Sequence, residues 1–177
     1  FRRHLEFVCK IYRTQIEKGK QLLHEHPAQA DSWEGSCILK VVRMPGVQSI
    51  KMDQCQFGQS TSDGEPVKKE TRWMSNCREV LDHLDRQCSG RGGVCSATKS
   101  RHAVCSGRTA KEAAVYPFKM CPAILQGNRQ YLQRAGRSRD GLNAVLPHCE
   151  TGLDPDAKQE QESSWILSAT GDKARPT

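Results

Sequence analysis

The sequence predicts an α/β fold in which a small parallel or mixed sheet is covered by helices. Two observations carry that expectation. Apolar residues at helical spacing alternate along the first 135 residues with short apolar runs, and those runs end at proline, glycine or asparagine. After about Gly136 the periodicity stops.

The first element is a helix over about residues 2–18, because Leu5, Val8, Tyr12 and Ile16 recur at steps of three or four and Gly19 supplies a stop. QLLHEHP then enters through leucines and ends at Pro27, which suits a strand near 21–26. In SWEGSCILKVVRMPG, Ile38, Val41, Val42 and Met44 cluster before Pro45-Gly46, giving a helix with Ser32 as its N-cap. VQSIKMD alternates Val47, Ile50 and Met52 and gives a parallel strand over 47–53, and KKETRWMSN gives another near 70–75. REVLDHLDRQC places Val80, Leu81 and Leu84 on one helical face. The stretch from Ser89 to Ala114, rich in glycine, serine and arginine, reads as a long exposed loop. Helical spacing resumes through Met120, Ile124, Leu125 and Leu132, with Pro122 tolerated only near the first turn. Residues 1–135 are therefore one α/β unit with a Cys-rich loop at 88–105, and residues 136–177 a disordered, flexible linker or tail.

With 27 Lys and Arg against 20 Asp and Glu, the chain carries a formal charge of +7. Basic surface of this kind gains affinity for polyanions by releasing phosphate counterions, so DNA or RNA, bound with weak sequence specificity, is the expected partner. Simple charge balance is the plain alternative. No run approaches the roughly 20 apolar residues that a membrane-spanning helix needs, and FRRHLEFVCKIY lacks the unbroken apolar stretch of a secretory leader. The expected home is intracellular, with no membrane partner, and the chain reads as a segment of a longer protein. Nine cysteines cannot all pair within the chain, which points to reduced thiols that are buried, metal-binding or incidental.

Cys88, Cys95, His102 and Cys105, spaced C-x6-C-x6-H-x2-C, form the leading metal candidate. Three thiolates and an imidazole satisfy a tetrahedral structural zinc, and the surrounding loop has too few apolar groups to order itself. Free thiols in a flexible loop are the competing reading. In HEHP a strand would set His24 and His26 on one face and Glu25 on the other, which disfavours one metal held by all three. Glu25 at a strand end is instead a candidate catalytic carboxylate, or part of a polar strand end that only stabilises a turn. Cys55 and Cys77 follow strands closely and read as buried apolar thiols. Lys68, Lys69 and Arg72 beside Trp73 could hold a phosphate and stack a base, or could be a solvated strand edge. Arg91, Lys99, Arg101, Arg108 and Lys111 flank the zinc candidate and could contact a nucleic-acid backbone.

The ordered blocks HLEFVCKIY, LLHEHPAQADSW, VQSIKMDQCQFGQ, PVKKETRWMSN, CSGRGGVCS and GRTAKEAAVYPFKMCPAIL resemble a segment of Copia-type retrotransposon polyproteins, over residues 4–130. The resemblance implies a piece of a Gag-Pol-like reading frame upstream of integrase and reverse transcriptase, whose partners include other segments of the same polyprotein. A more distant resemblance is to the C-terminal part of DNA cytosine methyltransferases. There Glu25 would match the base-contacting glutamate, Phe57-Gly58 the aromatic-glycine step, and Lys69 with Arg72 the basic strand. That likeness implies a partial Rossmann-like, methyltransferase-like sheet. The chain has no Pro-Cys nucleophile and no G-x-G loop after a strand, so it is not expected to hold S-adenosylmethionine or to be catalytic by itself. The alternatives are part of a nucleobase-modifying enzyme completed by an N-terminal half, and a decayed element with no selected function.

Overall fold

A computed structural model describes residues 2–137. Helix α1 (Arg2–Glu17) leads into strand β1 (Leu23–Pro27), a 3-10 turn (Asp31–Glu34), helix α2 (Ser36–Val42) and strand β2 (Gln48–Asp53). A second 3-10 turn (Gln54–Phe57), strand β3 (Glu70–Ser75) and helix α3 (Arg78–Leu84) follow. The long loop holds one short helix, α4 (Gly107–Glu112), before α5 (Met120–Arg134). The expected tail lies, from residue 138 on, outside the described residues. No helix among the described residues is long and apolar enough to cross a membrane.

The α/β class holds, but the sheet is antiparallel, which corrects the expected parallel or mixed, Rossmann-like arrangement. Its order is β1-β3-β2, with β3 central and antiparallel to both neighbours: Glu25 and Ile50 both stand opposite Trp73. β1 and β2 therefore run in the same direction, joined through α2 as an alternating pattern suggests, yet they do not touch. β3 is inserted between them. Strand–helix–strand alternation fixes the direction of the two flanking strands and is silent on whether a third fills the gap.

Alternation along β3 divides the core in two. Trp73 faces α3 and α5, where it packs with Met52, Phe57, Leu81, Leu84 and Met120. Met74 faces α1 and α2, among Leu5, Cys9, Leu22, Trp33, Ile38 and Val41. Two helical layers thus sandwich three strands. The layer below Trp73 is closed by an α3–α5 contact so tight that a Cβ at Gly127 would lie 2.4 Å from the Val80 Cα. Only glycine fits there. Pro122 falls in the first turn of α5, where its missing N–H costs nothing. Ser32 is not the cap of α2: it is buried in the 3-10 turn, its hydroxyl has no partner, and Gly35 precedes the helix.

Candidate metal centre

Cys55, Cys88, Cys95 and His102 each offer one ligand atom, and these four atoms lie within 4.8 Å of one another. They form the one such group among the described residues. Each arrives from a different piece of local structure. β2 ends at Asp53, and the 3-10 turn that follows carries the buried Cys55. α3 stops at Leu84, and the chain continues irregularly to Cys88. Asp53 fastens the two: its backbone N–H donates to the Arg86 carbonyl at 3.0 Å, and its buried carboxylate accepts the Cys88 N–H at 2.7 Å. The Lys68 ammonium, 3.6 Å from the same carboxylate, balances its charge.

The other two ligands come from a tight double turn. The Cys95 N–H donates to the Ser100 carbonyl at 2.8 Å, and the Lys99 N–H returns a bond to the Cys95 carbonyl at 3.0 Å. Val94 bridges Arg101 across it. A Cβ at Gly90 would fall 1.8 Å from the Val94 carbonyl oxygen, so the chain can fold back here only on glycine. At His102 both the backbone N–H (2.8 Å) and the ring Nδ1 (3.0 Å) meet the Gly93 carbonyl. A carbonyl only accepts, so Nδ1 carries the proton and the Nε2 lone pair is left to face Cys88 Sγ, 3.7 Å away. This is the arrangement that orients a ligating imidazole.

The sulfurs are held as anion sites. Ser96 directs its backbone N–H (3.3 Å) and hydroxyl (3.5 Å) at Cys88 Sγ. The Gln56 amide nitrogen lies 3.5 Å from Cys55 Sγ and 3.7 Å from Cys95 Sγ. At Cys88 burial opposes ionisation but is outweighed by the Ser96 and Gly90 hydrogen bonds, which pull the thiol down to about 6. Burial pushes Cys55 up to about 12. One thiolate beside a protonated thiol is what a crowded sulfur cluster settles into without a cation; a bound cation lets all three ionise. Ideal zinc distances of about 2.3 Å to sulfur and 2.0 Å to nitrogen give tetrahedral edges of about 3.5–3.8 Å, so a contraction of about 1 Å closes the set.

Three of the four ligands expected from local spacing are here, but Cys105 is not among them and Cys55 takes its place. Beyond His102 the chain is held elsewhere: Ala103 bridges Val67 and donates its N–H to the Pro66 carbonyl at 2.9 Å. Cys55 carried one signal in the sequence, a thiol in the polar run Asp53–Gln56 where a strand gives way to a turn.

The remaining sequence candidates are dispersed. His24 and His26 do share a face, stacked at 6.0 Å, with Tyr12 Oη 2.9 Å from His24 Nδ1 and Trp33 edge-on at 5.0 Å. Burial, and then His26, hold His24 down at about 4. Glu25 lies on the opposite face, where its carboxylate accepts the Tyr116 hydroxyl at 2.7 Å. HEHP thus splits between two layers and gathers no metal site. Trp73 is only 3% exposed, so it offers no face to a base; its ring is core. Lys69 donates to the Ala113 carbonyl at 2.8 Å, while Arg72 lies 4.5 Å over the Trp33 ring and donates to Ser49 Oγ. With Lys68 on Asp53, that basic strand is tied into the protein itself. Arg91, Arg101 and Arg108 are exposed, the last paired with Glu112. Comparison with protein-family models, curated proteins and solved structures gives no match.

Proposed function

We propose that the chain is a non-catalytic structural segment of a Copia-type mobile-element polyprotein, whose Cys55–Cys88–Cys95–His102 centre takes zinc and whose basic surface meets nucleic acid. The observation that supports the metal is the convergence of three sulfurs and an imidazole within 4.8 Å, drawn from a strand exit, a helix exit and a loop. Soft thiolates with one imidazole favour zinc over calcium or magnesium, and a full set of four protein ligands leaves no open position, which makes the role structural. Bound there, the ion supplies the cross-link that fixes the loop to β2. Gln56, Ser96 and the Gly93 carbonyl orient the ligands. Thiols must stay reduced for this, in keeping with an intracellular home.

The polyprotein reading rests on the ordered sequence blocks from residue 4 to 130. Neighbouring integrase and reverse-transcriptase segments in the same reading frame are its test, and a frame lacking both would overturn it. For the metal, the test is elemental analysis of protein purified without chelator. One zinc per chain is expected, falling to none on replacing Cys55 and Cys95 together by serine, and unchanged in Cys105→Ser. Zinc that survives the double substitution would refute the site.

A further inference from the structure

The loop that closes the metal centre also concentrates the protein's charge. Between Arg86 and Lys111 the sequence holds six cations, no carboxylate and no Phe, Tyr or Trp. The segment thus accounts for all but one unit of the net +7. All six cations are exposed. They divide by what engages them. Arg86 lies 5.0 Å over the Phe57 ring and Arg108 is paired with Glu112. Arg91, Lys99 and Arg101 have no ion pair among the described residues.

Those three cations sit in the metal-binding turns. Arg91 begins the turn that ends at Val94, Val94 bridges Arg101, and Lys99 and Arg101 lie between the ligands Cys95 and His102. Lys99 is the one non-glycine residue of positive φ among the described residues, at 62°. A lysine held in the left-handed region, which its side chain disfavours, signals that its surroundings over-determine its position. Here those surroundings are the Cys95–Ser100 hydrogen-bonded ring, with the candidate ligands Cys95 at its start and His102 two residues past its end.

We propose that the loop is a grip for nucleic-acid phosphates, assembled only when the centre holds its metal; this rests on the zinc reading above. With no aromatic platform on the loop, contact is to the backbone alone. Duplex should be bound at least as well as single strand, without sequence preference. An anionic membrane is the less favoured polyanion, because Val104 is the one large exposed apolar side chain the loop could insert.

The test uses the full chain, with zinc content measured first, titrated against a fluorescent 20-base-pair duplex, a single strand of equal length and phosphatidylserine vesicles at 50–200 mM salt. The zinc-loaded protein should bind duplex at 50 mM salt. The triple variant R91Q/K99Q/R101Q should keep one zinc per chain and lose about 2.7 units of log-log salt slope, so that its affinity changes about 40-fold less than the wild type's over that range. Chelator-treated protein should lose the same increment. The proposal is overturned by zinc-loaded protein that ignores duplex at 50 mM salt, by a triple variant with the parental slope, by metal-free protein that binds duplex as tightly as loaded protein, or by vesicle binding without duplex binding. A chain that carries no zinc overturns both readings, whereas loaded protein indifferent to duplex leaves the metal centre standing.

Discussion

The sheet with its four flanking helices and the cysteine loop are built on opposite economies. Around Trp73 and Met74, order comes from many apolar side chains, each contributing a little: Ile38, Val41, Met52, Leu84 and Met120 are fully enclosed. From Cys88 to Cys105 the only buried side chains are two cysteines, and these join Cys55 in a cluster of sulfur alone. The first region resists single losses in proportion to their size; the second, with zinc bound as proposed, would depend on one interaction. A region that cannot bury enough apolar surface to offset its chain entropy needs a cross-link, and a metal is the strongest that reduced thiols can make.

The largest expected effect separates the two regions. Removing zinc, or replacing Cys55 and Cys95 by serine, should abolish amide protection across residues 88–105 and leave that of β1, β2 and β3 in place, read by hydrogen exchange. Structural zinc is worth about 10–16 kcal/mol in small zinc-dependent domains, far more than the loop's other contacts. Uniform loss of protection throughout the chain would mean that the regions are not independent. The affinity should also depend on pH with a fixed sign. Burial keeps Cys55 protonated up to about 12, so metal uptake at neutral pH expels that proton, and affinity should fall at least about tenfold for each unit the pH is lowered.

The converse change strikes the core. Trp73→Ala should cost about 3–5 kcal/mol in chemical denaturation while the folded fraction still carries zinc. A small cost would return the ring to the surface. Gly127→Ala, which presses a methyl into the backbone of Val80, should cost about 1–3 kcal/mol by the same measurement, and no cost would show that α3 and α5 can separate freely.

Smallest is the effect of acid on the α1–α2 layer. His24 is held neutral, its folded value of about 4 lying below the ordinary 6.5. Unfolding therefore takes up a proton between those values, so this stabilisation is complete above about pH 6.5 and is lost as pH falls toward 4. Denaturation of the metal-free protein at pH 7, 5.5 and 4.5 should show the decline, and His24→Phe should flatten it. Equal slopes in both would exclude His24 as the source.

The split between regions also explains what the sequence could disclose. Leu5, Val8, Tyr12 and Ile16 announced α1 because helical periodicity is local, and Val47, Ile50 and Met52 announced β2 for the same reason. That β3 enters between β1 and β2 is a pairing across distant residues, which no local pattern encodes. The metal set obeys the same rule. Cys88, Cys95 and His102 are near neighbours whose spacing could be read, whereas Cys55 joins them across the fold, where Asp53 accepts the Cys88 N–H. Local spacing points to Cys105, but Ala103 commits the chain to Val67 before that thiol is reached. Trp73 beside three cations looked like a stacking platform, but strand alternation turns it toward α5 and leaves Arg72 on the other face.

The position of Cys55 on the sheet's side of the centre has a kinetic consequence. Closing the span from residue 88 to 95 costs about 1.4 kcal/mol less chain entropy than closing that from 55 to 88. If the centre takes a metal, Cys88, Cys95 and His102 would therefore gather it before Cys55 does. Cys55, carried by the turn after β2, would join only once the sheet has formed, so cobalt used as a thiolate-sensitive probe during refolding should report two steps rather than one.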